Sequence, residues 1–202
     1  MRVGIMGGTF DPIHVAHLFL TEEARERLGL AFVLFMPTGD PWLKAVKPRT
    51  SRDVRLHMVE LAVESNPFFR ASDIEVRRPG PTYTVDTLQK LAEDLGSDTE
   101  LFFLLGMDSL AEFPKWRSPE RVVQLCTPVV FRRPSASDGA PEAAIRKVPS
   151  LRRKLIVLDA PVFEVSSSEI RRRVAEGRSV RYLVPDAVER FISEQGLYLE
   201  PN

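Results

Sequence analysis

Short runs of apolar residues alternate along the chain with stretches whose hydrophobic positions recur at helical spacing. The most continuous apolar run is ELFFLLG, which suits a buried strand, and HVAHLFLTEEARERLG is a helical stretch that ends at Gly29. This alternation predicts an α/β fold, in which a parallel sheet is covered by helices on both faces.

The residues that flank each block place the expected elements. Ser51 suits a helix cap, Pro119 a first helical position after Ser118, and Gly96 a helix end. Expected strands or extended segments are RVGIM, AFVLFMP, FFRASDIEVRR, ELFFLLG, TPVVFRR and KLIVLDAPVFEV. Expected helices are HVAHLFLTEEARERLG, SRDVRLHMVELAVESN, TVDTLQKLAEDLG, SPERVVQLC, SSSEIRRRVAEG and PDAVERFISEQGLY. The length fits one domain, residues 1–202, whose doubly wound sheet is followed by a small C-terminal helical part at about 166–202.

One long connection interrupts this alternation. Residues 134–150, PSASDGAPEAAIRKVPS, are poor in large apolar side chains and rich in turn formers. We predict a mobile surface excursion there.

Composition limits the class of protein. Of the 202 residues 44% are hydrophobic, which is ample for a core, and 28 basic residues balance 28 acidic ones. A balanced charge favours neither nucleic-acid nor membrane binding, so any anion site must be local. The sequence shows no signal-peptide pattern and no apolar run near the roughly 20 residues that cross a bilayer, so we expect a cytoplasmic protein. The single cysteine, Cys126, excludes an internal disulfide and is typical of a buried core thiol.

Two glycines and two histidines stand in GGTFDPIHVAH, directly after the first expected strand. In parallel sheets ligands bind beyond the carboxyl ends of the strands, near a switch in strand order. Gly7 and Gly8 let the backbone turn sharply, and the next helix start offers N–H groups suited to a phosphate. His14 and His17 are three residues apart, hence on one helix face, where they can donate hydrogen bonds to phosphate oxygens.

Other interpretations of this segment remain open from spacing alone. A structural turn with histidines at a helix start explains the same pattern. A zinc site needs three or four ligands, and the remaining histidine, His57, falls inside an expected helix. Neither the P-loop pattern nor the dinucleotide pattern G-x-G-x-x-G is present.

Further candidates follow other expected strands. Lys44 could reach a polyphosphate, although surface lysines are common. Gly106 permits close backbone approach, and Asp108 can accept a hydrogen bond from a sugar hydroxyl or a base amine. The indole of Trp116 could stack on a flat ring or serve as a partly buried hydrophobic group.

The segment VSSSEIRRR has a structural and a functional interpretation. Ser166 and Glu169 have the spacing of a capping box, and Arg171 beside the serines could form a second anion cradle. No nucleophile with its general base emerges anywhere in the chain. A reaction that needs only positioning and charge stabilisation fits better, as phosphoryl or nucleotidyl transfer does.

Four segments together resemble the nucleotidyltransferases of the HxGH class, and within it the bacterial nicotinate-nucleotide adenylyltransferase family. They are GGTFDPIHVAH, RRPGPTYTVDTL, LLGMDSLAEFPKW and the terminal SSSEIR with YLVPDAVERFISEQGLY. The likeness covers nearly the whole chain, and it implies a Rossmann-like sheet. It also implies ATP and nicotinate mononucleotide as partners, with Mg²⁺ carried on the ATP, and no nucleic acid or membrane. The oligomeric state is not given, and a homo-oligomer is compatible with the sequence.

The resemblance implies a role for each matching residue. On the ATP side, His14, His17, Lys44 and Arg171 would surround the triphosphate as catalytic residues. The other matches on this side are Gly7, Gly8, Thr9, Phe10, Gly106, Asp108 and Ser168. On the nicotinate mononucleotide side they are Thr82, Tyr83, Trp116 and Arg117, with the indole stacked on the pyridine ring. No protein metal site is implied.

Three positions depart from the family pattern. Ala16 replaces the usual glycine of HxGH, a small change that should leave the motif working. Leu43 stands before Lys44 where the family often has histidine, which leaves the contacts of that loop open. Arg117 follows Trp116 where an aromatic residue is sometimes found, and a more basic pocket would suit a nicotinate carboxylate.

The expected reaction is in-line attack by the 5′-phosphate of nicotinate mononucleotide on the α-phosphorus of ATP. Pyrophosphate leaves, and no covalent enzyme intermediate forms. The alternatives are an adenylyltransferase that prefers nicotinamide mononucleotide or another phosphate acceptor, such as phosphopantetheine, and a non-catalytic nucleotide-binding protein.

Overall fold

Strands and helices alternate through the computed structural model, which describes residues 1–39, 49–132, 139–159, 161 and 164–199. The strands are β1 (Arg2–Gly8), β2 (Phe32–Pro37), β3 (Phe69–Ala71), β4 (Glu100–Gly106), β5 (Thr127–Arg132) and β6 (Ile156–Asp159). The helices are α1 (Val15–Leu28), α2 (Arg52–Val63), α3 (Thr84–Leu95), α4 (Met107–Glu112), α5 (Pro119–Leu125), α6 (Ala140–Lys147), α7 (Leu151–Lys154), α8 (Ser167–Ala175) and α9 (Asp186–Glu194). None of these helices is long and apolar enough to cross a membrane.

The strands of the described residues form one parallel sheet in the order β3-β2-β1-β4-β5-β6. Strand β1 pairs with β2 on one side, where Gly7 lies opposite Met36, and with β4 on the other, where Met6 lies opposite Leu104. The chain builds outward from β1, returns through α3 and continues outward from β4. This order confirms the Rossmann-like doubly wound fold and puts its switch point between β1 and β4.

Alternate residues of each strand bury into opposite faces of the sheet. In β4, Phe102 and Leu104 face one hydrophobic cluster, whereas Phe103 and Leu105 face the other. Helices α1, α2, α8 and α9 contribute to the first cluster, and α3, α4, α5, α6 and α7 to the second. The C-terminal helices thus pack on the same sheet face as α1, next to the loop that follows β1.

Helix ends agree with the capping expectations in most places. The Ser51 hydroxyl accepts a hydrogen bond from the Val54 N–H, and Gly29 ends α1 with a left-handed φ of 61°. Ser166 accepts from the Glu169 N–H, but the Glu169 carboxylate binds Arg172 and Arg173 instead of closing a capping box. Only half of that motif forms, because two arginines on the following turn compete for the carboxylate.

Three expected segments differ from the structure. Only Phe69–Ala71 of FFRASDIEVRR is a strand, and among the described residues of KLIVLDAPVFEV only Ile156–Asp159 is one. Within 134–150, residues 140–147 form α6, while residues 134–138 lie outside the described residues. Ala144 of α6 and Val148, which caps its C-terminal end, are buried in the second cluster, and Ile145 packs against it, so this face docks the helix on the core.

Cys126 is a buried core thiol, as expected. Its Sγ donates to the Val122 carbonyl at 3.3 Å, and burial raises the pKa of the thiol to about 12. The thiolate is the reactive form of cysteine. We therefore expect the native protein to resist iodoacetamide at mildly alkaline pH and to react in guanidinium chloride, as followed by mass spectrometry. Labelling of the native protein at the rate of a free thiol would contradict this burial.

Candidate functional site

Two cavities open at the switch point, beyond the carboxyl ends of β1 and β4. One, of about 520 Å³, contains Trp116 and is called the tryptophan cavity. The other, of about 430 Å³, contains His14 and His17 and is called the histidine cavity. The two share a wall formed by Gly7, Gly8, Thr9, Asp108 and Ser109. Ligands in the two cavities would therefore meet across the end of β1.

The histidine pair is held rigidly at the start of α1. The His14 N–H donates to Nδ1 of His17 at 3.2 Å, so the neutral His17 ring carries its proton on Nε2. The two rings stack with centroids 3.7 Å apart, and the Phe10 ring meets His17 edge-on at 5.1 Å. This arrangement presents a hydrogen-bond donor at the helix N-terminus, where a phosphate oxygen is favoured.

The turn after β1 has a backbone that specifies glycine. A Cβ on Gly8 would lie 2.8 Å from the ring of Phe10. Phe10 itself has a left-handed φ of 50°, and its ring is packed against Phe35 at a centroid distance of 6.1 Å. A strained residue that persists inside such packing is common at ligand-binding turns. At Gly106 a Cβ would meet no atom within 4 Å, so the space beside it is open.

The tryptophan cavity is walled by an indole that is fixed from behind. Trp116 packs against Phe113 at 4.9 Å and meets Phe103 edge-on at 5.9 Å between centroids. Arg117 lies 3.6 Å from the Asp86 carboxylate, and its guanidinium is 4.6 Å from the centre of the Tyr83 ring. Part of its charge is therefore balanced within the protein, which reduces the basic character expected from the sequence.

Arg55 connects the loops that follow β1 and β2. This arginine of α2 is 1% exposed, and it donates to the Thr9 carbonyl at 2.7 Å and the Gly39 carbonyl at 3.1 Å. No motif in the sequence indicates this residue. A charged residue on the apolar face of α2, next to the buried Met58 and Val59, is the signal that could have found it.

Asp11 is a second buried residue that connects separate segments, and the motif that contains it does not indicate this role. Its carboxylate accepts from the Arg49 N–H at 2.6 Å, the Thr50 hydroxyl at 2.8 Å and the Tyr198 hydroxyl at 2.7 Å. Burial and the Asp11 charge raise the pKa of Tyr198, which keeps this phenol a donor. The Asp11 carbonyl accepts from Arg171 at 2.8 Å. The loop after β1 is thus fastened to α8 and to the segment after α9.

Most residues expected from the sequence line the two cavities. The histidine cavity holds Gly7, Gly8, Thr9, Phe10, His14, His17, Gly106 and Asp108. The tryptophan cavity holds Thr82, Trp116 and Arg117. Tyr83, Ser168 and Arg171 line neither of them. Arg171 donates to Ser168 at 3.2 Å and faces another cavity, beside Arg49 and Tyr198.

Two points on charge and metal binding complete the site. Lys44 lies outside the described residues. In the part of the chain that the structure describes, no group of three or more His, Cys, Asp and Glu side chains could hold a metal ion. Ser109 and Glu75 also line the cavities and were not singled out from the sequence, and Ser167, one of the serines of VSSSEIRRR, lines the histidine cavity.

Comparison with known proteins agrees with this architecture. The family model described as cytidylyltransferase-like matches residues 5–173. A probable nicotinate-nucleotide adenylyltransferase of Dehalococcoides mccartyi (strain 195) is 45% identical, over 98% of this chain and 97% of its own. One from Thermomicrobium roseum is 46% identical, over 98% of this chain and 91% of its own.

A solved structure shows the same fold at lower identity. The Plasmodium falciparum nicotinic acid mononucleotide adenylyltransferase complexed with NaAD superposes with a TM-score of 0.79 at 21% identity, covering 98% of this chain and 99% of that one. The resemblance drawn from the four sequence segments is confirmed. Because the family model spans most of its length and the relatives are similar from end to end, this chain belongs to the cytidylyltransferase-like family.

Proposed function

We propose that the protein transfers an adenylyl group from ATP to nicotinate mononucleotide, giving deamido-NAD and pyrophosphate in NAD biosynthesis. The names of relatives that are 45% and 46% identical over nearly their whole length support this reaction. The structural observation that carries it is the pair of cavities sharing the Gly7–Thr9 wall. One has donors for a triphosphate and the other an indole for a flat ring, so two nucleotides could meet at that wall.

In the proposed mechanism, the histidine cavity binds the ATP phosphates. Backbone N–H groups of the turn and Nε2 of His17 donate to the phosphate oxygens, and His14 holds the His17 ring in place. These donors stabilise the charge that grows on the leaving pyrophosphate. Lys44 and Arg171 add positive charge in the proposal. Arg171 would do so from its anchorage on Asp11 and Ser168.

The acceptor binds in the tryptophan cavity in this proposal. The pyridine ring stacks on Trp116 beside Thr82 and Arg117, and the 5′-phosphate points toward the shared wall. Tyr83 would act from outside this cavity, through its contact with Arg117. From there one of its oxygens attacks the α-phosphorus, the bond to pyrophosphate breaks, and no covalent enzyme intermediate is needed. Catalysis then depends on positioning and charge stabilisation.

In our proposal the adenylyl donor enters as the complex of ATP with Mg²⁺. The family pairs a divalent metal with its nucleotide. Mg²⁺ commonly takes most of its ligands from substrate phosphates and water, so the ion belongs to the substrate. We also propose that the protein acts in the cytoplasm, where ATP is available, and that both sites lie within one chain.

One assay tests the proposed reaction. ATP is supplied with nicotinate mononucleotide, nicotinamide mononucleotide or phosphopantetheine, and pyrophosphate release is followed for each. We expect release with the first, and equal or faster release with another acceptor would overturn the assignment. Tight ATP binding without release for any acceptor would indicate a non-catalytic nucleotide-binding protein.

Trp116→Ala should selectively weaken binding of the acceptor, nicotinate mononucleotide. Loss of the stacking surface is expected to raise KM for nicotinate mononucleotide about 10-fold or more, since base–aromatic stacking contributes about 1–3 kcal/mol. KM for ATP should stay near that of the parent. Trp116→Phe is the matched control, because it retains an aromatic face, and it should recover most of the affinity. An unchanged KM for the acceptor in the alanine variant would remove Trp116 from the proposed site.

A further inference from the structure

Glu75 is a buried carboxyl in the wall of the tryptophan cavity. Its side chain is only 6% exposed, and it lies in the segment between β3 and α3. Burial raises the pKa of the Glu75 carboxyl, while the Thr87 hydroxyl, the positive charge of Arg78 and the backbone of Gly39 act in the opposite direction. Keeping an acidic group in such a place costs free energy. The hydrogen bonds to this carboxyl must therefore offset part of that cost.

A directed chain of hydrogen bonds runs through this carboxyl into α3. Arg78 Nη1 donates to the Thr87 hydroxyl at 2.9 Å, and that hydroxyl donates to Glu75 Oε1, also at 2.9 Å. Thr87 is fully buried in the first turn of α3. Glu75 thus holds the start of the helix that Thr82 and Tyr83 precede.

The backbone of the same segment is packed against the loop after β2. A Cβ on Gly39 would lie 2.4 Å from the Glu75 carbonyl oxygen and 2.9 Å from Cγ2 of Thr82. The Gly39 carbonyl is in turn bound by the buried Arg55, which also holds Thr9. One connected set of contacts therefore reaches from the shared wall, through Gly39, to the acceptor side of the cleft.

We infer that Glu75 is a positioning residue for the acceptor: by fixing the start of α3 against the loop after β2, it sets the spacing between Thr82 and the face of Trp116. This inference rests on the proposed function, because the ligand in that cavity is taken to be the mononucleotide. It assigns no contact between Glu75 and the reacting atoms. The role predicts an effect on acceptor affinity that is separate from ATP affinity.

Steady-state kinetics on Glu75→Ala and Glu75→Gln tests the inference. Glu75→Ala is expected to raise KM for nicotinate mononucleotide about 10-fold, with KM for ATP within about twofold, because small misplacements of a positioning group have effects of at least this size. Glu75→Gln retains an oxygen that accepts from Thr87, so it should restore most of the acceptor affinity. Thr87→Val should resemble Glu75→Ala, and the double variant should be no worse than either, since the two residues act together.

Leu95→Ala is the control for a merely structural effect. Leu95 lies at the C-terminal end of α3 and packs on the second hydrophobic cluster. Its truncation should therefore lower thermal stability and leave both KM values unchanged. If Glu75→Ala raises both KM values together, or changes neither, the inference is wrong.

The outcome separates this inference from the proposed function. A parent enzyme that does not use nicotinate mononucleotide overturns the function alone. The same variants are then compared by calorimetric titration with the mononucleotide that does bind. An affinity loss in Glu75→Ala that Glu75→Gln recovers would still support positioning, and equal affinities would refute it.

Discussion

His17→Ala is expected to lower kcat by about 100-fold or more, as the loss of a preorganised donor to a developing oxyanion does. The His17 ring is fixed by stacking on His14 and by the bond from the His14 N–H to Nδ1, so its Nε2 position is preset before the substrate arrives. An alanine has no donor at that place. Pyrophosphate release at saturating ATP and acceptor measures the effect directly.

His57→Ala is the matched control for this substitution. His57 is a half-exposed residue of α2 that contacts Glu60 and Phe191, on neither cavity wall. Its loss should leave kcat within about twofold of the parent, as surface substitutions usually do. Turnover of His17→Ala at the parent rate would exclude the histidine pair from transition-state stabilisation.

Asp11→Ala is expected to cost about 3 kcal/mol of unfolding free energy, because three donors lose a buried, charged acceptor at once. The donors are the Arg49 N–H, the Thr50 hydroxyl and the Tyr198 hydroxyl. Each would be left with part of its desolvation cost uncompensated. Urea unfolding followed by circular dichroism gives the loss.

Tyr198→Phe provides a graded comparison for Asp11. It removes one of the three donors and keeps the ring, so a loss of roughly 1 kcal/mol is expected. Equal stability of the parent and Asp11→Ala would show that these bonds are replaced by water at no cost. A loss in Tyr198→Phe as large as that in Asp11→Ala would show that the phenol carries the whole effect.

The layers of this fold follow from the spacing of apolar residues along the sequence. Runs such as the one in β4 must be buried on both faces, and amphipathic stretches such as α3 have one apolar face to cover them. Local periodicity carries no information on how a segment pairs with distant strands. It therefore could not show that, of the segment FFRASDIEVRR, only Phe69–Ala71 pairs in the sheet. It also missed α6, because the Pro, Ser and Gly residues around this segment favoured a loop, although Ala144 and Ile145 pack on the second cluster.

The candidate site was predictable where motif residues stand next to strand ends. His14, His17, Asp108 and Trp116 lie at the cavities because the carboxyl ends of β1 and β4 are neighbours. Asp11 and Arg55 bind groups at least 16 residues away along the chain, and Glu75 binds Thr87, which is 12 residues away in α3. No local sequence pattern predicts which carbonyl group a buried arginine will bind.

The bond between Asp11 and Tyr198 joins positions 187 residues apart, and this separation bears on synthesis of the chain. A nascent polypeptide can form β1 and its following turn early, because their sheet partner β2 is emerging nearby. That turn still lacks its phenol donor until residue 198 has left the ribosome. We therefore expect the loop after β1 to be among the last parts of the described structure to become rigid as the newly made chain folds.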